Sequence, residues 1–165
     1  MARNDHEATV EVRLRVNGID HELEVPPRYA LSDVLRDRLR LTGLHTGCEQ
    51  GVCGACMVLV DGEPTVSCLT LAVEAQGVEI HTVEHLTGPS SNPGRLERSF
   101  MECGAFQCGF CTPGFLVIGH HILRQAWRGD RAAIRECLSG NVCRCTGYEP
   151  IIDAIAAAAH DGEEP

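Results

Sequence analysis

The sequence lacks the features that mark membrane proteins and nucleic-acid-binding proteins. No apolar run approaches the ~20 residues that span a bilayer, and residues 1–7 contain no apolar core of a secretory signal. Positive charge is scarce: 14 Lys and Arg residues stand against 23 Asp and Glu residues, which gives a formal net charge of −9. Nucleic acids and anionic membranes both attract basic patches. We therefore expect a cytoplasmic protein with no nucleic-acid partner and no membrane span.

Sequence motifs that bind nucleotides are also missing. The chain contains no Gly-x-Gly-x-x-Gly fingerprint and no P-loop. The chain is therefore not expected to bind FAD or NAD itself.

His120 and His121 are adjacent on a predicted helix, where neighbouring side chains point apart and cannot both face one metal.

Cysteine, in contrast, is abundant. Ten of the 165 residues are cysteine, an even number that could form disulfides. Disulfide scaffolds are usually short secreted chains, however, and clustered thiols in a reducing compartment more often bind metal. We therefore favour metal binding. Eight cysteines fall into two groups, and the remaining two, Cys103 and Cys137, are expected to be buried thiols that pack on helices.

The first group has the spacing of a plant-type [2Fe–2S] site. Cys48, Cys53 and Cys56 form a C-x4-C-x2-C pattern, and eleven residues separate Cys56 from Cys68. A tight loop with this spacing can wrap three thiolates around a binuclear cluster, and the fourth arrives from another element. Structural zinc sites more often use two C-x2-C-like pairs, so the spacing favours iron and sulfide over zinc.

Three glycines accompany the first group and are expected to shape its backbone. Gly47, Gly51 and Gly54 allow main-chain N–H groups to approach the sulfurs closely and permit a positive φ. Hydrogen bonds from N–H groups to cluster sulfurs stabilise the added electron and raise the reduction potential. We therefore expect these glycines to form the backbone around the first cluster.

The second group consists of a C-x2-C pair and a C-x-C pair. Thirty-one residues separate the first pair, Cys108 and Cys111, from the second, Cys143 and Cys145. Zinc accepts four such ligands as well, so this spacing alone leaves zinc and an iron–sulfur cluster open. The neighbouring plant-type site favours a second cluster, because two clusters in one small chain form a route for electrons.

Hydrophobic periodicity predicts an α+β chain with strands first and helices second. Asn17-Gly18 and Asp61-Gly62 are typical hairpin turns. The predicted strands are Thr9–Val16, Ile19–Val25, Met57–Val60, Glu63–Ser67 and Val78–Val83, with one helix over Asp33–Leu39. Together these elements resemble the β-grasp topology of plant-type ferredoxins, and we assign residues 8–86 to such a domain.

Residues 87–94 are rich in glycine, proline and serine and are predicted to be a linker. The chain beyond it, residues 95–160, is predicted to be a four-helix bundle. Its helices are expected at Arg95–Cys103, Thr112–Gln125, Arg131–Leu138 and Pro150–Ala159. One stripe of the second helix is expected to pack against the other helices: Leu116, Gly119, Ile122 and Leu123.

Three segments together resemble the small iron–sulfur subunit of the xanthine-oxidase-type molybdenum hydroxylases. That family includes aerobic carbon monoxide dehydrogenase and the aldehyde and N-heterocycle hydroxylases. The segments are Cys48 to Cys68, QCGFCTPG from Gln107 to Gly114, and LSGNVCRCTGY from Leu138 to Tyr148. The resemblance extends from about Thr9 to Ala158. The joint pattern is highly specific, whereas either half alone is less so.

The resemblance implies an electron-transfer subunit that is inactive alone. In this family a large subunit carries a molybdenum–pterin cofactor and a medium subunit carries FAD, in an assembly that we expect to be a dimer of heterotrimers. Electrons are implied to leave the pterin near Gln107 and Cys145. They are then implied to pass through two [2Fe–2S] clusters to FAD. The first cluster on this route is implied to be held by Cys108, Cys111, Cys143 and Cys145, and the second by Cys48, Cys53, Cys56 and Cys68.

Two other functions stay open on the residues alone. One is a freely diffusing ferredoxin-like carrier, against which the second cysteine group argues, because a carrier needs only one cluster. The other is a zinc-stabilised scaffold, which would be colourless and contain stoichiometric zinc. The sequence does not identify the substrate of a complex: carbon monoxide, an aldehyde, an N-heterocycle and a CoA thioester are all compatible with it.

Overall fold

The computed structural model of the chain describes residues 8–89 and 91–160. The N-terminal stretch 1–7 and Ser90 of the predicted linker lie outside the described residues. Among the described helices, none combines the length and the apolar composition that a membrane crossing requires.

The N-terminal half is built on one mixed sheet of five strands in the order β2-β1-β5-β3-β4. The strands are β1 (Val10–Val16), β2 (Ile19–Val25), β3 (Met57–Val60), β4 (Glu63–Val66) and β5 (Glu79–His81). β1 pairs parallel with β5, and the other pairs are antiparallel. Both predicted hairpin turns form with two consecutive positive φ angles, at Asn17-Gly18 and at Asp61-Gly62, the conformation that matches the strand twist.

The sheet buries one face against a short helical segment. Val12, Leu14 and Val16 alternate inward along β1 and pack with Val34 and Leu35. The segment begins as helix α1 (Leu31–Asp33) and continues as a π-helical turn over Val34–Arg38. The sequence prediction of a regular helix over 33–39 was therefore wrong about its start and its winding. Short 3₁₀ turns follow at Ser67–Leu69 and Ala72–Glu74.

The last strand is shorter than predicted. β5 ends at His81, because the backbone N–H of Thr82 donates to the Asn17 side chain at 2.9 Å instead of to a strand. Val83 then starts helix α2 (Val83–Leu86).

Within residues 91–160, four further helices share one hydrophobic core. They are α3 (Arg95–Glu102), α4 (Thr112–Ile122), α5 (Arg131–Cys137) and α6 (Glu149–His160), with a 3₁₀ turn at Leu138–Gly140. Phe100, Phe115, Ile134 and Ile155 are buried in this core. The Asp130 side chain caps α5 by accepting backbone N–H groups of the first turn.

Helix α4 contacts both halves of the molecule. Its Val117 packs with Met57, Leu59 and Val83 on the sheet side, whereas its Phe115 and Ile118 belong to the helical core. The prediction of a single packing stripe on this helix therefore included too few residues, because α4 packs on two sides. Gly119 and Ile122 are buried as expected, but Leu116 and Leu123 are only half-buried.

Candidate metal centres

The first cysteine site is a loop before β3 that is closed by the turn after β4. The loop carries Cys48, Cys53 and Cys56, and the turn Ser67–Leu69 carries Cys68. The Ser67 hydroxyl donates to the carbonyl of Cys56 at 2.7 Å and holds the two segments together. The four thiols lie in two contacting pairs, Cys48 with Cys53 and Cys56 with Cys68.

Main-chain N–H groups point at the sulfurs of this site. A hydrogen bond from the Gln50 N–H, followed by the Cys53 thiol, lowers the pKa of Cys48 to about 6. Burial, followed by the Cys56 thiol, raises the pKa of Cys68 to about 11, while the Gly51 N–H acts in the opposite direction. Such N–H donors favour the thiolate, which is the form that binds metal.

Two of the three predicted glycines adopt the left-handed backbone. Gly51 has φ +77° and Gly54 has φ +69°, which favours glycine on steric grounds. Gly47 does not have a positive φ, so the left-handed conformation that glycine permits is not used at this position. A Cβ at Gly47 would lie 3.2 Å from the Phe110 ring and 3.4 Å from the Cys53 sulfur, so Gly47 serves close packing instead.

The second cysteine site joins two loops at helix ends. Cys111 is the residue before α4, and Cys143 and Cys145 precede α6. The thiols again lie in pairs: the Sγ atoms of Cys108 and Cys145 are 3.7 Å apart, and the thiols of Cys111 and Cys143 are in contact.

This pairing can be compared with the geometry of metal–thiolate sites. Two thiolates on one tetrahedral metal, with bonds of about 2.3 Å, lie about 3.8 Å apart, and the 3.7 Å between the Cys108 and Cys145 sulfurs matches that spacing. Within residues 8–89 and 91–160, no three His, Cys, Asp or Glu side chains are grouped closely enough to hold a single ion. Paired thiols fit a binuclear cluster, in which each iron takes two thiolates and two bridging sulfides.

The second site has its own electrostatic pattern. Burial, followed by the Cys143 thiol, raises the pKa of Cys111 to about 12. Burial also acts to raise the pKa of Cys143, but hydrogen bonds from the Thr146 hydroxyl and from nearby N–H groups lower it overall. The hydrogen bond with Cys108 raises the pKa of Cys145.

One edge of the second site faces solvent. Cys108, Cys145 and the neighbouring Gln107 are exposed, whereas Cys111 is half-buried and Cys143 is buried. Gln107 therefore lies beside the exposed thiol pair, next in the chain to Phe106, which is 42% exposed.

The two cysteine sites adjoin each other. The N–H of Val142, beside Cys143, donates to the carbonyl of Cys53 at 2.9 Å. The buried Asn141 side chain donates to the carbonyl of Gly54 at 3.2 Å. On the outer side, His45 stacks on the Phe110 ring at 5.0 Å, and its Nδ1 lies 2.8 Å from the Phe110 carbonyl oxygen.

Sequence reasoning identified several of these contact residues only as parts of motifs. Thr146 and Tyr148 make hydrogen bonds with Cys143 at the second site, and Asn141 donates to the Gly54 carbonyl of the first. For Thr146 and Asn141 the available signal was a short polar residue near a candidate cysteine, because such side chains readily bond to nearby main chain. Cys103 and Cys137 pack on the helical core as predicted, but they are half-buried and not fully buried, and burial raises the pKa of both.

Comparisons with known proteins agree with two cluster-binding units. Residues 14–84 match the family model described as a 2Fe-2S iron-sulfur cluster binding domain, and residues 82–156 match a [2Fe-2S] binding domain. Caffeine dehydrogenase subunit gamma of Pseudomonas sp. (strain CBB1) is 50% identical over 90% of both chains. The 6-hydroxypseudooxynicotine dehydrogenase complex subunit beta of Paenarthrobacter nicotinovorans is 47% identical over 89% of this chain and 92% of its own length.

The fold is also shared with a solved structure. Quinoline 2-oxidoreductase from Pseudomonas putida 86 contains a chain that superposes with a TM-score of 0.86 and 47% identity, over 94% of this chain and 99% of that one. The sheet and the helices are thus those of a known oxidoreductase component. The chain belongs to the small iron–sulfur subunits, with two [2Fe–2S]-binding domains, of the xanthine-oxidase family of molybdenum hydroxylases.

Proposed function

We propose that this chain conducts electrons from a molybdenum–pterin centre on a large subunit to FAD on a medium subunit. When bound, each [2Fe–2S] cluster supplies a centre that takes up and releases one electron at a time. The relatives named as subunits of dehydrogenase complexes support a heteromeric assembly. We further propose a dimer of heterotrimers in the cytoplasm.

The proposed ligands are the eight paired cysteines. The first cluster is held by Cys48, Cys53, Cys56 and Cys68, and the second by Cys108, Cys111, Cys143 and Cys145. The contacting pairs and the N–H groups aimed at their sulfurs support this assignment. Gly51 and Gly54 give the first loop the left-handed backbone that wraps its thiolates.

The observation that carries the proposed direction is the contrast between the two ends of the second site. Its outer edge, Cys108 and Cys145 with Gln107, is exposed and suited to face the pterin of a partner. Its inner edge is connected to the first site by the hydrogen bond from Val142 N–H to the Cys53 carbonyl at 2.9 Å. With clusters held at both sites, an electron that enters at the outer edge would have the first site, beside Cys53, as its neighbouring acceptor.

We propose the same division for the fold itself. Residues 8–86 form a β-grasp ferredoxin-like unit, residues 95–160 form a four-helix bundle, and residues 87–94 link them. Separate cores on the sheet and among the helices support this division.

The route is tested by Cys145→Ser in the assembled complex, with Cys103→Ser as the matched control. Stopped-flow spectroscopy follows the reduction of molybdenum and of FAD after substrate is added. In Cys145→Ser we expect substrate still to reduce molybdenum while FAD reduction collapses, because the entry ligand is changed. Cys103→Ser is expected to reduce FAD at the wild-type rate. Unchanged FAD reduction in Cys145→Ser would contradict the route.

A further inference from the structure

A closed set of three hydrogen bonds surrounds the buried ligand Cys143. The backbone N–H of Cys143 donates to the Tyr148 phenol oxygen at 3.0 Å. The backbone N–H of Tyr148 donates to the Thr146 hydroxyl oxygen at 3.2 Å. The Thr146 hydroxyl lies 3.1 Å from the Cys143 sulfur. All three residues belong to the turn that precedes α6.

These contacts fix the direction of the Thr146 hydroxyl proton. A hydroxyl has one proton to donate, and it accepts through its lone pairs. The Tyr148 N–H occupies the accepting side of the Thr146 oxygen. A cysteine sulfur bound to iron is a thiolate and has no proton to donate. The remaining contact therefore runs from the Thr146 O–H to the Cys143 sulfur.

The backbone is held in an uncommon conformation to make this arrangement. Gly147 has φ +70° and Tyr148 has φ +72°, and a bulky residue with a positive φ is costly. Edge-to-face packing of Tyr148 on the buried Phe115, with ring centroids 6.2 Å apart, keeps the tyrosine in place. The turn thus presents the Thr146 hydroxyl to the sulfur from a rigid support.

Main-chain N–H groups approach sulfurs of both sites, whereas the Thr146 hydroxyl is a donor of the second site. The hydrogen bonds to the sulfurs of Cys48 and Cys68 come from other thiols and from the backbone N–H groups of residues 50–53. A main-chain N–H is present whatever the side chain, whereas a hydroxyl can be removed by one substitution. The second site therefore contains a hydrogen-bond donor to sulfur that a single substitution can remove.

We propose that Thr146 tunes the second cluster by donating a hydrogen bond to the Cys143 sulfur, and that this bond raises the reduction potential of that cluster. The inference rests on the proposed function, since it requires a cluster at this site. A donor to a ligating sulfur stabilises the more negative, reduced state, so the added electron is held more tightly. Thr146 is thus a positioning and tuning residue, not a ligand.

The test compares Thr146→Val, which keeps the shape and removes the hydroxyl, with Thr146→Ser, which keeps the hydroxyl. Thr146→Ala is measured in parallel, because it removes the hydroxyl without overfilling the loop. The midpoint potentials of both clusters are determined in the full complex by EPR-monitored redox titration. We expect a negative shift of the second cluster in Thr146→Val and Thr146→Ala, wild-type behaviour in Thr146→Ser, and an unchanged first cluster in all three.

The outcomes separate this inference from the proposed function. If the wild-type protein lacks a second cluster signal, the proposed function fails and the inference fails with it. If both signals are present and the hydroxyl-free variants have the wild-type potential, only the tuning role is overturned. Loss of second-site iron in Thr146→Val and Thr146→Ala, with iron retained in Thr146→Ser, would also overturn tuning and leave Thr146 with a structural role.

Discussion

The two cysteine sites are built in different ways, although each offers four thiols in two pairs. Three cysteines of the first site lie within nine consecutive residues of one loop, and backbone N–H groups of that loop point at the Cys48 sulfur. The cysteines of the second site come from two segments separated by 31 residues, which are brought together by the packing of α4 and α6 in one core. The first site is therefore a local structure, and the second depends on tertiary packing.

The largest expected effect is the selective loss of one cluster. Cys56→Ser removes a proposed ligand of the first site and Cys111→Ser removes a proposed ligand of the second, and each is expected to lower iron and acid-labile sulfide by about half. The remaining EPR signal should belong to the untouched site. Cys137→Ala is the control, because its thiol packs on the helical core outside both sites, and it is expected to retain both signals.

Each site is expected to bind its cluster whether or not the other site is filled, and the same variants test this. Loss of both signals in Cys56→Ser would show that the second site needs the first loop to be filled. Two retained signals in Cys111→Ser would remove this cysteine from the ligand set.

The second-largest effect is expected at the junction of the two sites, where Gly54 of the first loop contacts Gly140 and Asn141 of the second. Gly54 has φ +69°, and a Cβ there would lie 2.7 Å from the Gly140 carbonyl oxygen and from the Asn141 side chain. Gly18 has φ +78°, and a Cβ at that position would have nothing within 4 Å. Gly18→Ala is therefore expected to cost about 1 to 2 kcal/mol of unfolding free energy for the left-handed backbone alone.

Gly54→Ala is expected to cost about 1 to 3 kcal/mol more than Gly18→Ala, because the added methyl group also pushes the two cysteine loops apart. Urea unfolding of the two variants measures the difference. Equal destabilisation of the two variants would mean that the two loops move apart at the junction with no loss of unfolding free energy. The two sites would then not be held together tightly at this point.

The smallest effect is a pH dependence that arises at Glu97 in the helical half. His120 Nε2 lies 2.9 Å from a Glu97 carboxylate oxygen. Burial acts to raise the pKa of Glu97, but the hydrogen bond from His120 and backbone N–H groups outweigh it and hold the pKa below its ordinary value of 4.5. A carboxyl with a depressed folded pKa adds stability above its unfolded pKa and loses that stability as pH falls through the folded pKa.

Between about pH 6 and about pH 3, the wild-type chain is therefore expected to lose up to about 1 kcal/mol more unfolding free energy than Glu97→Gln. Urea unfolding at several pH values measures this, with Glu102→Gln, an exposed change on the same helix, as the control. Identical pH profiles for the wild-type chain and Glu97→Gln would contradict a stabilising contact with His120.

The contrast between local and non-local structure also explains which features were predictable. The hairpin turns at Asn17-Gly18 and Asp61-Gly62 were predicted correctly, because their conformation depends on two neighbouring residues. The packing of α4 against both the sheet and the helices was not predicted, because Val117 meets Met57 only through the tertiary fold. The end of β5 was misplaced for the same reason, since Thr82 bonds to the distant Asn17.

The candidate sites follow the same rule. Cysteine spacing predicted the ligand sets, and these assignments stay predictions until the metal content is measured. The Thr146 hydrogen bond could not be predicted, because it depends on a left-handed turn at Gly147 and Tyr148 that Phe115 supports. The packing of Gly47 against the Phe110 ring was not predicted, because this ring comes from the other cysteine site.

The most direct test of the central claim is the iron and acid-labile sulfide content of the wild-type chain, combined with the EPR spectrum of the dithionite-reduced protein. Two [2Fe–2S] clusters require four irons and four sulfides per chain, and we expect two distinct S = 1/2 signals. Two irons with a single signal, and zinc or unliganded thiols at Cys108, Cys111, Cys143 and Cys145, would contradict the account and leave a carrier with one cluster.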